Sequence, residues 1–159
     1  MTELHEPRVN PDGSYNTFTI KKEGAIDVVT LNRPEALNAL SREMMLELQH
    51  YFGKLYTDYT VRVVVLTGAG RGFCSGLDLK EDRSDEPGGV VGGMQTQRRV
   101  SEIMLRMRRA PQPIISLING PASGGGFGLA LASDIRIATP SVRMNAAFIR
   151  IGLSACDVG

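Results

Sequence analysis

Asn119-Gly120-Pro121-Ala122-Ser123-Gly124-Gly125-Gly126-Phe127-Gly128 is the stretch on which the reading of this chain turns. The apolar run Pro113-Ile114-Ile115-Ser116-Leu117-Ile118 precedes it and predicts a buried strand. Leu129-Ala130-Leu131-Ala132 follows and predicts a helix. The glycines therefore stand at a strand-to-helix turn. Such a turn leaves backbone N–H groups unpaired at the helix N-terminus, where the helix dipole adds partial positive charge. Without a Cβ in the way, a ligand reaches that backbone closely, and negative charge on an oxygen is stabilised there. The same residues also read as a tight turn that serves only close helix–strand packing.

A second glycine-rich loop lies upstream. Val61-Arg62-Val63-Val64-Val65-Leu66-Thr67 predicts a strand, and Gly68-Ala69-Gly70-Arg71-Gly72-Phe73-Cys74-Ser75-Gly76-Leu77-Asp78-Leu79 follows it. The spacing breaks the dinucleotide-binding fingerprint after Gly70, and neither loop ends in the Gly-Lys-Ser/Thr of a phosphate-binding P-loop. Ligands of sheet proteins bind beyond strand ends, so the two loops are expected to meet there.

Working outward, residues 1–16 read as a polar tail or early loop and residues 17–159 as one folded core. Residues 17–22 and 26–31 predict a β-hairpin around Glu23-Gly24. Ser41 is placed to cap a helix running to about Asp58, with Met44, Met45, Leu48, Phe52, Leu55 and Tyr56 on its apolar face. Residues 81–93 predict a mobile loop. Val100, Ile103, Met104 and Met107 mark a second amphipathic helix, whose polar face carries Arg98, Arg99, Arg106 and Arg109. A strand over 134–138 completes an α/β pattern.

Composition narrows the functional classes. The 159 residues carry a net charge of +1, which points away from nucleic-acid binding. Cys74 and Cys156, with His5 and His50, offer no metal-ligand spacing, so no metal is expected. Cys74 sits in the second glycine loop, where it reads as a small apolar filler or as a reactive thiol. No apolar run has membrane-spanning length and the first residues do not form a signal peptide, so a cytoplasmic protein is expected.

Taken together, three stretches resemble the enoyl-CoA hydratase/isomerase (crotonase) superfamily. Leu31-Asn32-Arg33-Pro34-Glu35-Ala36-Leu37-Asn38-Ala39-Leu40 resembles its first coenzyme A loop, Gly72 to Lys80 its second, and Asn119 to Gly126 its third. Asp134-Ile135-Arg136-Ile137-Ala138 resembles the strand that follows. The resemblance implies a spiral of repeated ββα units, cut off before the helical C-terminal region of that family. It implies an acyl-CoA thioester as substrate in fatty-acid metabolism, no separate cofactor, and a homo-trimer or hexamer for a full-length member. It makes the N–H groups of Leu77 and Gly125 the oxyanion donors. Ala36, Leu37, Ala39, Ser75, Asp78 and Lys80 are then expected along the coenzyme A path.

The acid–base groups depart from the pattern. Where hydratases carry two glutamates, the matching positions are Gly128 and Phe148, which argues against hydration by that pair. Gly152-Leu153-Ser154-Ala155-Cys156-Asp157-Val158-Gly159 resembles a dienoyl-CoA isomerase stretch, with one additional residue. The resemblance makes Asp157 an acid–base group suited to isomerisation; a helix N-cap is the alternative. Three readings follow: a hydratase/isomerase-like enzyme, a non-catalytic acyl-CoA-binding or scaffold member, or an aberrant fragment without function.

Overall fold

The computed structural model describes residues 9–151. The hairpin comes first: β1 (Phe18–Glu23) pairs antiparallel with β2 (Ile26–Leu31), with Gly24 at φ 63° in the turn. From β2 onward every neighbour in the sheet is parallel. β3 (Val63–Gly68) lies against β2, β4 (Ile114–Ile118) against β3, and β6 (Ile135–Ala138) against β4, giving the order β1-β2-β3-β4-β6. Parallel neighbours need long crossovers, and helices supply them: α1 (Arg42–Leu55) between β2 and β3, α2 (Gly89–Arg109) between β3 and β4, α3 (Gly125–Ala132) between β4 and β6. This is the expected α/β class.

Alternation along the strands sets the layers. Asp27, Val29 and Leu31 of β2, Val64 and Leu66 of β3, and Ile114, Ser116 and Ile118 of β4 are buried, while their neighbours are partly or fully open. The covered face meets Met44, Met45, Leu48, Phe52 and Leu55 of α1 and Ile103, Met104 and Met107 of α2 in one core. The apolar run of β4 is thus covered on one side only, and Leu117 stays exposed.

α1 begins as the sequence predicts. Ser41 is its N-cap and accepts the Met44 N–H at 3.2 Å. Glu47, fully buried on this helix, accepts the N–H groups of Asn16 at 2.8 Å and Thr17 at 3.0 Å, and so ties the approach to β1 onto α1.

Two differences from the sequence reading have local causes. α2 starts at Gly89, inside the stretch read as a loop. Gly92 lies so close to the Pro87 carbonyl that a Cβ there has no room, so the glycine is a packing residue rather than a helix breaker. The third glycine loop is also not a direct strand-to-helix turn. After Ile118 the chain bends through Asn119 to Pro121 and forms the short strand β5 (Ala122–Ser123), parallel to β7 (Met144–Asn145), before α3 begins.

Candidate functional site

The first loop runs from Arg33 through a 3-10 turn, Pro34–Ala36, into Leu37 and Asn38, at φ 52° and 55°. Two adjacent non-glycine residues in the left-handed region are strained by about 1–2 kcal/mol each. Asn38 offsets this. Fully buried, it accepts the Arg33 N–H at 2.9 Å and donates to the carbonyls of Ala69 at 3.0 Å and Gly72 at 2.9 Å. From the other side, Asn119 donates to the carbonyls of Gly68 at 2.8 Å and Gly70 at 3.0 Å. Two asparagines thus hold the glycine turn at 68–72.

The second loop is bonded to the first. The Ser75 N–H donates to Leu37 at 3.0 Å, its hydroxyl to Ala36 at 3.4 Å, the Leu40 N–H to Gly76 at 2.7 Å, and the Asp78 N–H to Leu40 at 3.1 Å. Asp78 is paired with Arg33 at 2.9 Å, and the same guanidinium donates to the Ala39 carbonyl at 2.6 Å. Burial, the largest influence on the Asp78 carboxyl, favours its neutral form. Hydrogen bonds from Arg33 and the Lys80 N–H, with the charges of Arg33 and Arg83, overcome it and hold the group below the usual carboxylate range.

The third loop closes onto the second. The Ser123 N–H donates to Cys74 at 3.0 Å, and the Gly124 N–H to Asn145 at 3.0 Å. Gly76, at φ 94°, makes the approach possible: a Cβ on it would lie 2.6 Å from the Ser123 carbonyl oxygen and 3.4 Å from the Gly125 nitrogen. Leu77 and Gly125 then line one cavity of about 200 Å³, together with Leu79, Val100, Phe148 and Arg150. Gly124 is the N-cap of α3 at φ 50°, so Gly125 is the first helical residue. Among the described residues, neither the Leu77 N–H nor the Gly125 N–H finds an acceptor. Two unpaired donors on one cavity wall, one at a helix N-terminus, can receive an oxygen that gains negative charge.

The structure brings Leu77 and Gly125 together and places Ala36, Leu37, Ala39, Ser75 and Asp78 on the two bonded loops beside them. Lys80 stands exposed at the end of the second loop. Asp157 lies outside the described residues. Of the expected polar face of α2, Arg99 is paired with Glu86 and Arg106 with Glu102, and none of the four arginines lines the cavity. Cys74 is fully buried, and burial pushes its thiol up to about 12, which makes it a filler rather than a nucleophile. Among the described residues, no group of His, Cys, Asp and Glu is placed to hold a metal ion. No helix there is long and apolar enough to cross a membrane. Sequence reasoning did not anticipate Arg33, Asn38 and Asn119 as the residues that fasten the loops, nor Thr96 and Arg150 on the cavity wall.

With this geometry in place, the comparisons with known proteins are direct. Residues 21–159 match the profile of the enoyl-CoA hydratase/isomerase family, and the chain belongs to that family. It is 42% identical over 141 residues to a probable enoyl-CoA hydratase of Mycobacterium leprae, covering 84% of this chain and 47% of that protein. It is 41% identical over 133 residues to the 1,2-epoxyphenylacetyl-CoA isomerase of Escherichia coli, covering 82% of this chain and 50% of that one. An enoyl-CoA hydratase structure from Mycobacterium smegmatis superposes with a TM-score of 0.80 at 34% identity, over 87% of this chain and 53% of that chain. The chain thus spans about half the length of the curated relatives it matches.

Proposed function

We propose that the full protein binds an acyl-CoA thioester and stabilises its enolate between the N–H groups of Leu77 and Gly125, in a hydration or a double-bond isomerisation of fatty-acid metabolism. The observation that carries this is the pair of unpaired N–H donors on one apolar cavity. When the α-carbon loses its proton, the C–H electron pair moves toward the thioester carbonyl, whose oxygen becomes the enolate. One such donor contributes about 3 kcal/mol to a transition state of this kind. The N-terminus of α3 adds its partial positive charge.

On this reading Ala36, Leu37 and Ala39, with Ser75, line the coenzyme A path through backbone and small side chains. Lys80 supplies the cation for phosphate; it is exposed and, among the described residues, has no ion-pair partner. Asp78 keeps the path in shape through Arg33. Asp157 is the acid–base group.

One observation favours a second reading, a non-catalytic acyl-CoA-binding member. No Asp or Glu among the described residues lines the cavity; Phe148 does line it, and Gly128 is buried in α3. The two readings part on solvent-deuterium exchange at the α-carbon of a bound acyl-CoA. An enzyme exchanges it, and Asp157→Asn lowers the rate by about 10²–10⁴-fold while binding persists. A protein that binds without exchange is the scaffold. Calorimetry comes first: a folded sample that binds neither coenzyme A nor its crotonyl thioester sinks both.

A further inference from the structure

The cavity that holds the two N–H donors also carries a feature that a plain hydrocarbon chain leaves unused. We propose that the site selects acyl groups bearing a carboxylate at their far end. The proposal rests on the acyl-CoA reading above and names the substrate class within it.

Besides apolar side chains such as Leu77 and Phe148, the lining carries the polar side chains of Ser75, Thr96, Gln97 and Arg150, and two of these bear on an anion. The first is Arg150, on the 3-10 turn Ala147–Ile151, which also carries Phe148. Among the described residues no carboxylate pairs with it, and none lines the cavity. The second is Thr96, buried on α2. Its hydroxyl oxygen accepts Nη1 of Arg83 at 3.0 Å, and Arg83 is itself held by Glu81 at 3.0 Å. A guanidinium only donates, so this contact occupies the oxygen and leaves the Thr96 proton free. Among the described residues that proton has no acceptor. Donation from a cation also polarises the O–H and strengthens it as a donor.

Among the described residues the cavity therefore offers a guanidinium and a polarised hydroxyl, both donors, with no carboxylate on its lining to answer them. A carboxylate accepts from both, and a methyl group from neither. Arginine in particular matches a carboxylate with its planar fork. The phosphates of coenzyme A are the other anion at hand. Arg150 shares its cavity with the Leu77 and Gly125 donors, where the acyl end belongs, rather than with the path along the first loop.

The test is calorimetry on the full-length protein with glutaryl-CoA, pentanoyl-CoA and free coenzyme A. The two thioesters have equal chain length and differ in the terminal group. The expected result is glutaryl-CoA binding about tenfold tighter than pentanoyl-CoA, a preference that shrinks with added salt because Arg150 is solvent-exposed. Arg150→Met should reduce the ratio of the two affinities to about twofold or less. Thr96→Val should take away a smaller share, and Thr96→Ser, which keeps the hydroxyl, should retain the preference. Equal affinities in the parent protein overturn the proposal while leaving the acyl-CoA reading intact. So does an Arg150→Met protein that loses affinity for all three ligands alike, since the anion would then be a coenzyme A phosphate. Failure of all three to bind the folded parent defeats the acyl-CoA reading itself, and this inference with it.

Discussion

Arg33 holds Asp78 across two loops: its Nη2 lies 2.9 Å from the Asp78 carboxylate while Nη1 lies 2.6 Å from the Ala39 carbonyl. Both side chains are largely out of solvent, at 24% and 11% exposure, so the pair is not a screened surface contact. Arg33→Met leaves the carboxylate without its main partner and should cost about 1–3 kcal/mol in denaturant unfolding. The folded-state Asp78 carboxyl is held below its unfolded range, so the stability it supplies is present above about pH 4 and is lost as pH falls through the folded value. Arg33→Met should remove that acid dependence. A variant whose stability falls with acid as steeply as the parent's would show that other carboxylates carry the effect.

Asn38 and Asn119 grip the same glycine turn, but the cost of losing them differs. Asn38→Ala takes the side-chain partner from the part-buried Arg33 N–H and Ala69 carbonyl, leaves the Gly72 carbonyl only a long 3.5 Å bond from Asn119, and puts alanine at φ 55°. We expect a loss of about 3–5 kcal/mol, from unsatisfied groups at about 1–3 kcal/mol and left-handed strain at about 1–2 kcal/mol. Asn119 is more open, and water can replace its bonds. Asn119→Ala should cost about 1 kcal/mol. Chemical denaturation of the two variants side by side checks the order.

Gly125 is tested by two substitutions that share one defect and differ in another. A Cβ on Gly125 would lie 2.7 Å from Leu40 Cδ1, so alanine and proline both crowd the core, by about 1–3 kcal/mol. Only proline also removes the N–H, at a first helical position where no helix bond is lost. Gly125→Pro should therefore lower α-proton exchange by a further factor of about 10²–10³ relative to Gly125→Ala, with coenzyme A affinity similar in both. Equal exchange in the two folded variants removes the oxyanion role.

Cys74 should resist alkylation in the folded protein. With its thiol pushed up to about 12, the reactive thiolate is scarce at neutral pH, and burial bars the reagent. In a Cys156→Ser background, iodoacetamide should label Cys74 at the rate of global unfolding. Fast labelling under native conditions would reopen the case for a nucleophile.

Elements with a repeating pattern were legible in the sequence. The hairpin over β1 and β2, the Ser41 cap and the apolar face of α1 follow from two- and fourfold spacings that need no partner to be seen. The strands β5 and β7, two residues each, carry no period, and only their pairing defines them. The start of α2 was hidden because Gly92 reads locally as a break, whereas its small size answers to Pro87 across a turn. The site divides along the same line. That the loops of Leu77 and Gly125 belong together was readable from glycine-rich motifs. The roles of Asn38 and Asn119 were not, because the carbonyls they serve lie far away along the chain. Thr96 and Arg150 reach one cavity only through the packing of α2 and the turn at 147–151.

The rungs from Ser123 to Cys74 and from Gly124 to Asn145 have a consequence for how the cavity opens. They tie α3 to parts of the chain that come together only when the parallel sheet is complete. A peptide cut out around the glycine run would hold every residue of the motif and none of its geometry. Within the intact chain, the amide hydrogens of Ser123 and Gly124 should exchange with solvent only when the whole domain opens. The floor of the cavity then has the lifetime of the fold itself, and a ligand settling there slows unfolding of the entire molecule.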